Sequence, residues 1–469
     1  MKLKFCGAAQ TVTGSAHLIE LEDGTKILLD CGLYQGREEN MSSFNETWLF
    51  NPEELDCVIL SHAHIDHCGR LPKLVKDGFK GTIFSTHATR SLCTIMLLDS
   101  AKIQEKDAEY ENKKLAKKKG AKAQEAEALY TAEDVTRCMK LFFSVGYEKW
   151  FSVNENVEVM FRDAGHILGS ASVSLTIKEN GRTIRLGFSG DVGRPDRPIL
   201  RDPKPMPADL DYLICESTYG DRDHDEKPAE EERFLSIIRK TCVDRRGKLI
   251  IPAFSVGRTQ EIVYILDQLQ AAGQLPQIPV YVDSPLAVNA TTIYATHPEC
   301  YDEQLSHYLL SDPNPFGFNN LHYVTATEDS KKLNTMEDPC IIISSSGMAN
   351  AGRIRHHLFN GIDDAKNTVL IVGYCSPDTP GGMLRNGVNA LKLFGEWKFV
   401  KAEVEIMDSF SAHGDRNELL DFIRENLKTM TRLFLVHGET PAQDGFKALL
   451  EQNGFTKVAT PELGETYEI

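Results

Sequence analysis

The sequence predicts an α/β protein of two or three domains, and three observations support this class. Its 469 residues exceed what a single hydrophobic core usually organises. Short apolar strands alternate with glycine-rich turns over roughly the first hundred residues. Beyond residue 248, apolar strands are followed by Gly/Ser loops and helices, which is the order typical of a parallel sheet covered by helices.

The N-terminal part begins with a predicted β-hairpin, because two apolar runs at 16–21 and 25–30 flank the turn Glu22-Asp23-Gly24. Helices are predicted over 70–79 and 87–99, where apolar residues recur at helical spacing. Further short strands are predicted at 57–60, 157–161, 172–177, 183–188 and 213–215.

The later part contains the longer apolar runs. Strands are predicted at 248–254, 280–282, 340–344 and 368–372, with a helix over 259–272. From about residue 399 the chain again reads as strand at 404–406 and 432–436, with a helix over 416–427 between them. Because neither an internal repeat nor a low-complexity linker interrupts the chain, the boundaries near 215 and 398 are soft.

A charged segment at 101–128 is rich in Lys, Glu, Ala and Gln, and we interpret it as a solvent-facing helical insertion interrupted at Gly120. Its basic run Lys117-Lys118-Lys119 could contact RNA. A run of this kind is more often only the solvated face of a helix, and both interpretations remain open.

Composition limits the possible functions. Asp and Glu number 68 against 52 Lys and Arg, so the net charge of −16 argues against a broad, nonspecific grip on nucleic acid. Bound metal ions or a local arginine cluster could still supply positive charge where phosphate binds.

The 11 cysteines include no Cys-x-x-Cys pair, which favours reduced thiols over a disulfide framework. No run reaches the roughly 18 apolar residues of a membrane span, and no signal sequence opens the chain, so we expect a cytoplasmic location.

A metal site is predicted shortly after the strand at 57–60, where six consecutive residues read His62-Ala63-His64-Ile65-Asp66-His67. Histidine accounts for only 14 of the 469 residues, so three within six positions are unlikely to arise by drift. Zinc and similar metals take imidazole nitrogen and carboxylate oxygen as ligands, and a shared metal ion would explain why these side chains occur together.

Four more ligand-capable side chains follow predicted strands, namely Asp30, His166, Asp191 and His437. Each one alone is more typical of an ordinary loop. Together they repeat one arrangement, a polar residue just past an apolar strand. This arrangement places groups from distant segments along one edge of a sheet.

These motifs resemble the metallo-β-lactamase superfamily, and further motifs narrow the resemblance to its β-CASP nucleases. The additional motifs are Glu216 in 214–220, Ser255-Val-Gly-Arg258-Thr-Gln260, Ser345-Ser-Gly-Met-Ala349 and Phe410-Ser-Ala-His413-Gly-Asp415. This branch includes the endonuclease subunit of the mRNA cleavage and polyadenylation factor and its bacterial homologues. The resemblance implies an αββα sandwich with an inserted β-CASP α/β domain of mainly parallel sheet. The implied domains are 1–214 and 399–469 for the sandwich and 215–398 for the insertion, which would roof the zinc cleft.

The resemblance also implies a site with two Zn²⁺ ions and a role for each motif residue. His62, His64 and His166 would hold one zinc; Asp66, His67 and His437 would hold the other; Asp191 would bridge them. Asp30 would orient a ligand from outside the coordination sphere. His413 would be the general acid and Glu216 would orient it, so that His413, Glu216, Asp66 and Asp191 form the catalytic set. His413 could instead cap a helix, and Glu216 could be a salt-bridge carboxylate.

Two loops ahead of predicted helices are weaker candidates for phosphate or RNA contact. They contribute Arg258 from the first loop and Ser345, Ser346 and Gly347 from the second. Gly/Ser loops cap many helices without binding anything. Arg353, Arg355, His356 and His357 follow the second loop, and for them we favour a structural or solvent-exposed role.

The resemblance implies a zinc-dependent endoribonuclease that hydrolyses single-stranded RNA and leaves a 5′-phosphate and a 3′-hydroxyl. RNA is favoured over DNA because the family's DNA-processing branch usually carries Val where this chain has His437. The alternatives are a 5′-to-3′ exoribonuclease of the RNase J type, a small-substrate metallo-hydrolase and a non-catalytic scaffold. Only 32 residues follow His437, so we expect no dedicated RNA-binding accessory domain, and a homodimer is possible.

Overall fold

A computed structural model describes residues 1–35, 43–117, 126–224, 230–407 and 411–469. The chain divides into two compact units. Unit 1 contains Met1–Asp196, Arg201–Asp223 and His413–Ile469, and unit 2 contains Arg197–Leu200 and His224–Ala412. Within the described ranges, no helix combines the length and the apolar character needed to cross a lipid bilayer.

The first sheet of unit 1 has seven strands in the order β22-β1-β2-β3-β4-β5-β6. Its strands are β1 (Lys2–Phe5), β2 (His17–Glu20), β3 (Lys26–Leu29), β4 (Cys57–Ile59), β5 (Thr82–Ser85), β6 (Phe142–Ser144) and β22 (Thr466–Glu468). The predicted hairpin is confirmed, because β2 and β3 pair antiparallel with His17 opposite Leu29. Gly24, at φ +92°, provides the left-handed turn between them.

The second sheet of unit 1 also has seven strands, in the order β21-β20-β11-β10-β9-β8-β7. They are β7 (Phe151–Ser152), β8 (Val157–Asp163), β9 (Ala171–Glu179), β10 (Arg182–Phe188), β11 (Tyr212–Glu216), β20 (Arg432–Val436) and β21 (Val458–Ala459). β9 pairs antiparallel with both β8 and β10, whereas β11 and β20 continue the direction of β10. The carboxyl ends of β8, β10, β11 and β20 therefore share one edge of the sheet.

A hydrophobic core fills the space between the two sheets. Alternate residues of each strand point into it, so that Ile27 and Leu29 pack with Phe161 and Phe434 of the facing sheet. A second core lies on the other face of the second sheet, where helices cover it with buried residues such as Leu419, Phe446 and Leu450. The helices of unit 1 are α1 (Ile65–Cys68), α2 (Leu71–Lys76), α3 (His87–Lys117), α4 (Ala132–Met139), α12 (Arg416–Ile423) and α13 (Thr440–Gln452). The α/β sandwich expected from the sequence is confirmed.

Helix α3 is longer than predicted. It begins at His87, as expected, but continues to Lys117 instead of ending near residue 99. Most side chains at 102–116 are exposed or half-buried, so this part of the charged insertion is a solvent-facing helix. The rest of the basic run, Lys118 and Lys119, lies outside the described residues, as does Gly120.

Unit 2 is built on a six-stranded sheet in the order β14-β13-β15-β12-β16-β19, in which all the described pairs run parallel. Its strands are β12 (Lys248–Pro252), β13 (Val280–Val282), β14 (Leu321–Tyr323), β15 (Cys340–Ser344), β16 (Thr368–Ile371) and β19 (Glu403–Ile406). The predicted parallel sheet is confirmed. Because β19 pairs with β16, residues 403–406 belong to this sheet; the domain limits 1–214, 215–398 and 399–469 stay a prediction.

Helices and one β-hairpin surround this sheet. The helices are α5 (Glu230–Ile238), α6 (Arg258–Ala271), α7 (Pro285–Ala295), α8 (Glu303–Tyr308), α9 (Thr327–Thr335), α10 (Ile354–Gly361) and α11 (Pro380–Arg385). The hairpin consists of β17 (Ala390–Leu393) and β18 (Glu396–Phe399). Leu391 and Leu393 of the hairpin pack into one hydrophobic cluster with Leu358 of α10 and Val369 of β16.

Candidate metal centre

The ligand-capable residues of unit 1 occupy the first positions after strands. Asp30 follows β3 directly, His437 follows β20 directly, and Asp191 comes three residues after β10. Asp30 and His437 have positive φ values of 58° and 48°. The left-handed region is uncommon for residues other than glycine, and strained backbone of this kind concentrates at functional sites.

Four of these residues form a first group. His62, His64, His166 and Asp191 each offer a ligand atom, and all four atoms lie within 4.8 Å of one another. His64 Nδ1 lies 3.1 Å from His62 Nε2 and 3.1 Å from His166 Nε2. Asp191 Oδ2 completes the group at 3.4 Å from His62 Nε2 and 3.5 Å from His166 Nε2.

Asp66, His67 and His437 form a second group within the same 4.8 Å limit. His437 Nε2 lies 3.2 Å from His67 Nε2 and 3.4 Å from Asp66 Oδ2. Asp66 and His67 belong to the short helix α1, which begins directly after His64. One loop and its helix thus supply residues to both groups.

Asp191 lies between the two groups. Its Oδ2 faces His62 and His166, while its Oδ1 lies 3.2 Å from His67 Nε2. Among the described residues, Oδ1 is a buried oxygen without a hydrogen-bond partner. A buried carboxylate oxygen in this state is costly unless a cation or a donor satisfies it. The carboxylate can therefore serve both groups at once.

The spacing of the donor atoms fits metal ions. Ligand atoms about 2.0–2.1 Å from a tetrahedral zinc ion lie roughly 3.3 Å apart, close to the separations within each group. Two imidazole nitrogens at 3.1 Å that both present lone pairs would repel each other without a cation between them. The donor set and its geometry therefore fit a metal ion in each group.

Neighbouring polar groups orient the imidazoles. Asp30 Oδ2 lies 2.7 Å from His67 Nδ1, and the fully buried Asp30 also accepts hydrogen bonds from the Ser61 backbone N–H and hydroxyl. This contact fixes the His67 tautomer, so that Nε2 presents its lone pair to the second group. On the other side of the site, the Thr218 hydroxyl lies 3.1 Å from His437 Nδ1.

Burial keeps the first group ready to bind a cation. Burial lowers the pKa of His62, brings the pKa of His64 to about 3 and holds the pKa of His166 well below its ordinary value. These imidazoles are therefore neutral at pH 7, which is the form that binds metals. For His67, burial acts to lower the pKa, but the carboxylates of Asp191 and Asp30 outweigh it and raise the pKa.

His413 and Glu216 form a pair beside Asp191. His413 Nδ1 lies 3.1 and 3.2 Å from the two Glu216 oxygens, while its Nε2 faces Asp191 Oδ2 at 3.9 Å. Glu216 is completely buried and accepts a 2.6 Å hydrogen bond from the Val192 backbone N–H. Burial alone would lower the pKa of His413. The negative charge of Glu216 and its hydrogen bond have the larger effect, so the pKa is raised to about 9. The imidazole thus carries a proton near neutral pH. Phe410 of the motif around His413 lies outside the described residues.

The four candidate phosphate-binding residues lie in unit 2. Arg258 is buried, and its guanidinium forms an ion pair with Glu261 one turn further along α6. Ser345 follows β15, and its hydroxyl lies 3.0 Å from that of Ser284, which in turn lies 3.1 Å from the Ser255 hydroxyl. Ser346 and Gly347 continue this loop. The hydroxyls thus cluster at the carboxyl ends of β12, β13 and β15.

The sequence did not indicate the hydroxyl partners of the histidines. Ser61, Ser170 and Thr218 contact the segments that carry His62, His166 and His437. Ser61 directly precedes His62, and its position was the only available signal. Serine and threonine are too common beside strands for such a signal to be distinctive.

Comparisons with known proteins match three successive family descriptions. Residues 10–207 match the metallo-beta-lactamase superfamily, residues 259–384 the Beta-Casp domain, and residues 399–461 the Zn-dependent metallo-hydrolase RNA specificity domain.

Several curated proteins align with almost all of this chain. Ribonuclease TTHA0252 of Thermus thermophilus is 35% identical over 99% of both chains. Transcription termination factor FttA of Methanocaldococcus jannaschii is 30% identical over 94% of this chain and 67% of its own length. Cleavage and polyadenylation specificity factor 73 of Drosophila melanogaster is 32% identical over 96% of this chain and 62% of its own length. The chain belongs to the metallo-β-lactamase superfamily and, within it, to the β-CASP metal-dependent hydrolases.

Proposed function

We propose that the protein is a zinc-dependent endoribonuclease that hydrolyses phosphodiester bonds of single-stranded RNA and leaves a 5′-phosphate and a 3′-hydroxyl. The observation that carries this proposal is the pair of ligand groups that share Asp191, with His413 directly beside them. The names of relatives, which include a ribonuclease and a cleavage and polyadenylation factor, support RNA as the substrate.

The proposed ligands are His62, His64 and His166 for one zinc ion and Asp66, His67 and His437 for the other, with Asp191 shared. The two ions, when bound, supply the Lewis acidity that activates a water molecule and neutralises the scissile phosphate in an in-line displacement. Asp30 holds His67 in the tautomer that this role requires. The donors are imidazoles and carboxylates without any thiolate, and zinc ions held by them would take water and substrate as additional ligands by expanding to five-coordinate.

His413 is the proposed general acid. As the bond between phosphorus and the 3′-oxygen breaks, the leaving oxygen needs a proton, and His413 Nε2 is the atom of the imidazole that faces the metal groups. Glu216 accepts a hydrogen bond from the Nδ1–H of His413. Its charge stabilises the imidazolium, which donates its other proton from Nε2 to the leaving oxygen. Because a carboxylate has no proton to offer its partner, Glu216 orients the acid and does not replace it.

Contacts with RNA away from the metals are proposed for Ser345, Ser346 and Gly347, with Arg258 as the weaker candidate because Glu261 already pairs with it. A 5′-to-3′ exoribonuclease with the same metal groups is the second candidate. Its support is the RNase J-like protein of Methanocaldococcus jannaschii, which is 31% identical over 93% of this chain. We further propose that the protein acts in the cytoplasm.

The test uses unstructured RNA labelled at either end and protein loaded with zinc. Internal cuts that disappear in His413→Ala and Asp66→Ala, but persist in the control His307→Ala at an exposed histidine, would support the endonuclease. Release of mononucleotides that depends on a 5′-monophosphate would favour exonucleolytic trimming instead. Full activity after metal is chelated would refute the metal mechanism.

A further inference from the structure

The hairpin of β17 and β18 carries two aromatic side chains that do not pack into the protein. Trp397 and Phe399 are each 68% exposed. They lie two positions apart in β18, so both project from the same face of the hairpin with about 7 Å between them. The opposite face carries Leu391 and Leu393, which are buried in the hydrophobic cluster of unit 2. The hairpin is therefore anchored by one face and presents the other to solvent.

Positive charge accompanies the aromatic face. Lys392 pairs directly with Trp397 across the hairpin, so its side chain projects from the same face, and it is exposed. Lys401, two residues beyond Phe399, is exposed as well. Acidic residues outnumber basic ones by 16 in the whole chain, which makes an exposed aromatic and basic face unusual for its surface.

We propose that the outer face of this hairpin, formed by Trp397, Phe399 and Lys392, is a stacking platform for the bases of single-stranded RNA. The identity of the ligand rests on the proposed ribonuclease function. Exposed aromatic rings on a strand bind unpaired bases by stacking, and neighbouring lysines neutralise the phosphates that connect them. Because Trp397 and Phe399 are two positions apart on one face, each ring can stack on a different base.

Charge favours RNA over a second copy of the chain. Two copies joined symmetrically through this face would bring Lys392 of each copy towards the other, and like charges that meet across an interface repel each other. RNA instead brings phosphate groups to Lys392 and unpaired bases to the rings of Trp397 and Phe399.

The test measures binding of a fluorescein-labelled, unstructured 20-nucleotide RNA with phosphorothioate linkages, which slow hydrolysis, to zinc-loaded protein. Trp397→Ala and Phe399→Ala are each expected to weaken binding about fivefold or more. Trp397→Tyr is expected to retain most of the affinity, because tyrosine still offers a ring. Lys392→Gln is expected to reduce the slope of log affinity against log salt by about 0.7. The control, Phe143→Ala with Trp150→Ala, removes one exposed phenylalanine and one exposed tryptophan elsewhere and is expected to bind like wild type.

The same variants are assayed for cleavage of ordinary RNA and for self-association by sedimentation velocity. The platform variants are expected to raise KM and to retain kcat. Wild-type affinity in the Trp397→Ala/Phe399→Ala double variant, with cleavage intact in wild type, would overturn the platform and leave the ribonuclease proposal standing. If the platform variants lose self-association but bind RNA with wild-type affinity, the stacking platform would be overturned in favour of a surface for a protein partner. No RNA cleavage by wild type would instead count against the proposed function.

Discussion

If His413 is the general acid, the effect of removing its imidazole on the rate of hydrolysis should depend on the leaving group of the substrate. Ribose 3′-oxygen is a poor leaving group that needs a proton as the bond breaks, whereas p-nitrophenolate departs as a stable anion. His413→Ala should therefore severely impair hydrolysis of RNA. It should have little effect on hydrolysis of bis(p-nitrophenyl) phosphate, because every other part of the proposed site is unchanged.

The expected magnitude follows from the contacts. A general acid contributes roughly 10²–10⁴ to the rate, so His413→Ala should raise the barrier for RNA by about 3–5 kcal/mol. Glu216→Gln removes the charge from a hydrogen bond to His413 Nδ1 at 3.1 Å, in a position with no solvent exposure. A hydrogen bond to a charged group contributes about 1.5–3 kcal/mol, so this variant should lose about tenfold to 150-fold in kcat on RNA.

The assay compares kcat on both substrates for wild type, the two single variants and the double variant, each loaded with zinc. Because Glu216 is proposed to act only through His413, the double variant should be no slower on RNA than His413→Ala alone. Equal losses on RNA and on the nitrophenyl ester would refute the general-acid role. Multiplying losses in the double variant would show that Glu216 acts independently of His413. Zinc content and melting temperature serve as controls for folding.

Three further predictions concern metal content and stability. Chelation should lower the melting temperature, zinc should restore it, and Asp191→Ala should reduce the zinc bound per chain measured by mass spectrometry. Burial lowers the pKa of His17 from 6.5 to about 3, so the unfolded chain takes up a proton that the folded chain refuses between these values. Stability should therefore fall as pH falls through this window, and His17→Leu should reduce that slope by up to about 1.4 kcal/mol per pH unit in urea titrations. Burial raises the pKa of Asp267 from 3.8 to about 6, so its contribution to stability is lost as pH rises through this range. Asp267→Asn, which keeps an acceptor for the Tyr308 hydroxyl, should melt above wild type at pH 7.5 and close to it at pH 3.5.

The sequence predicted most of the strands, because each one is an apolar run that ends at a polar or glycine residue. It missed nine short strands, namely β1, β5, β6, β7, β14, β17, β18, β21 and β22. Of these, β21 and β22 have two and three residues and contain no alternating pattern. Pairing with β20 and β1 defines these strands, and pairing partners far along the chain leave no local signal. The sequence predicted a helix over 87–99 and a separate helical insertion at 101–128. It missed that both belong to one helix as far as Lys117, because the charged second part has helix-forming residues but no apolar face in common with the first.

Positions in the candidate site were predictable to different degrees. The cluster from His62 to His67 stands out in the sequence because it is dense and follows a strand. Whether the distant Asp191 and His437 lie near it depends on strand order, which the local sequence does not reveal. The ion pair between Arg258 and Glu261 was missed although it is local, since residues three apart at the start of a helix lie side by side.

Strand order explains why Asp191 lies between the two groups of ligand-capable residues. Along the second sheet the order β20-β11-β10-β9-β8 places β10 between the strand that leads to His437 and the strand that leads to His166. The residue that follows β10 therefore has one neighbouring group on each side. Gly190, at φ +55°, allows the chain to turn here, since a Cβ at this position would lie 2.8 Å from Ser61 Cβ in the facing loop. That close approach brings Asp191 to the loop of His62, so that its carboxylate lies near His62 and His67 from one sheet and near His166 from the other. β11 ends between β10 and β20, and this location puts Glu216 where its partner His413 can face the shared carboxylate.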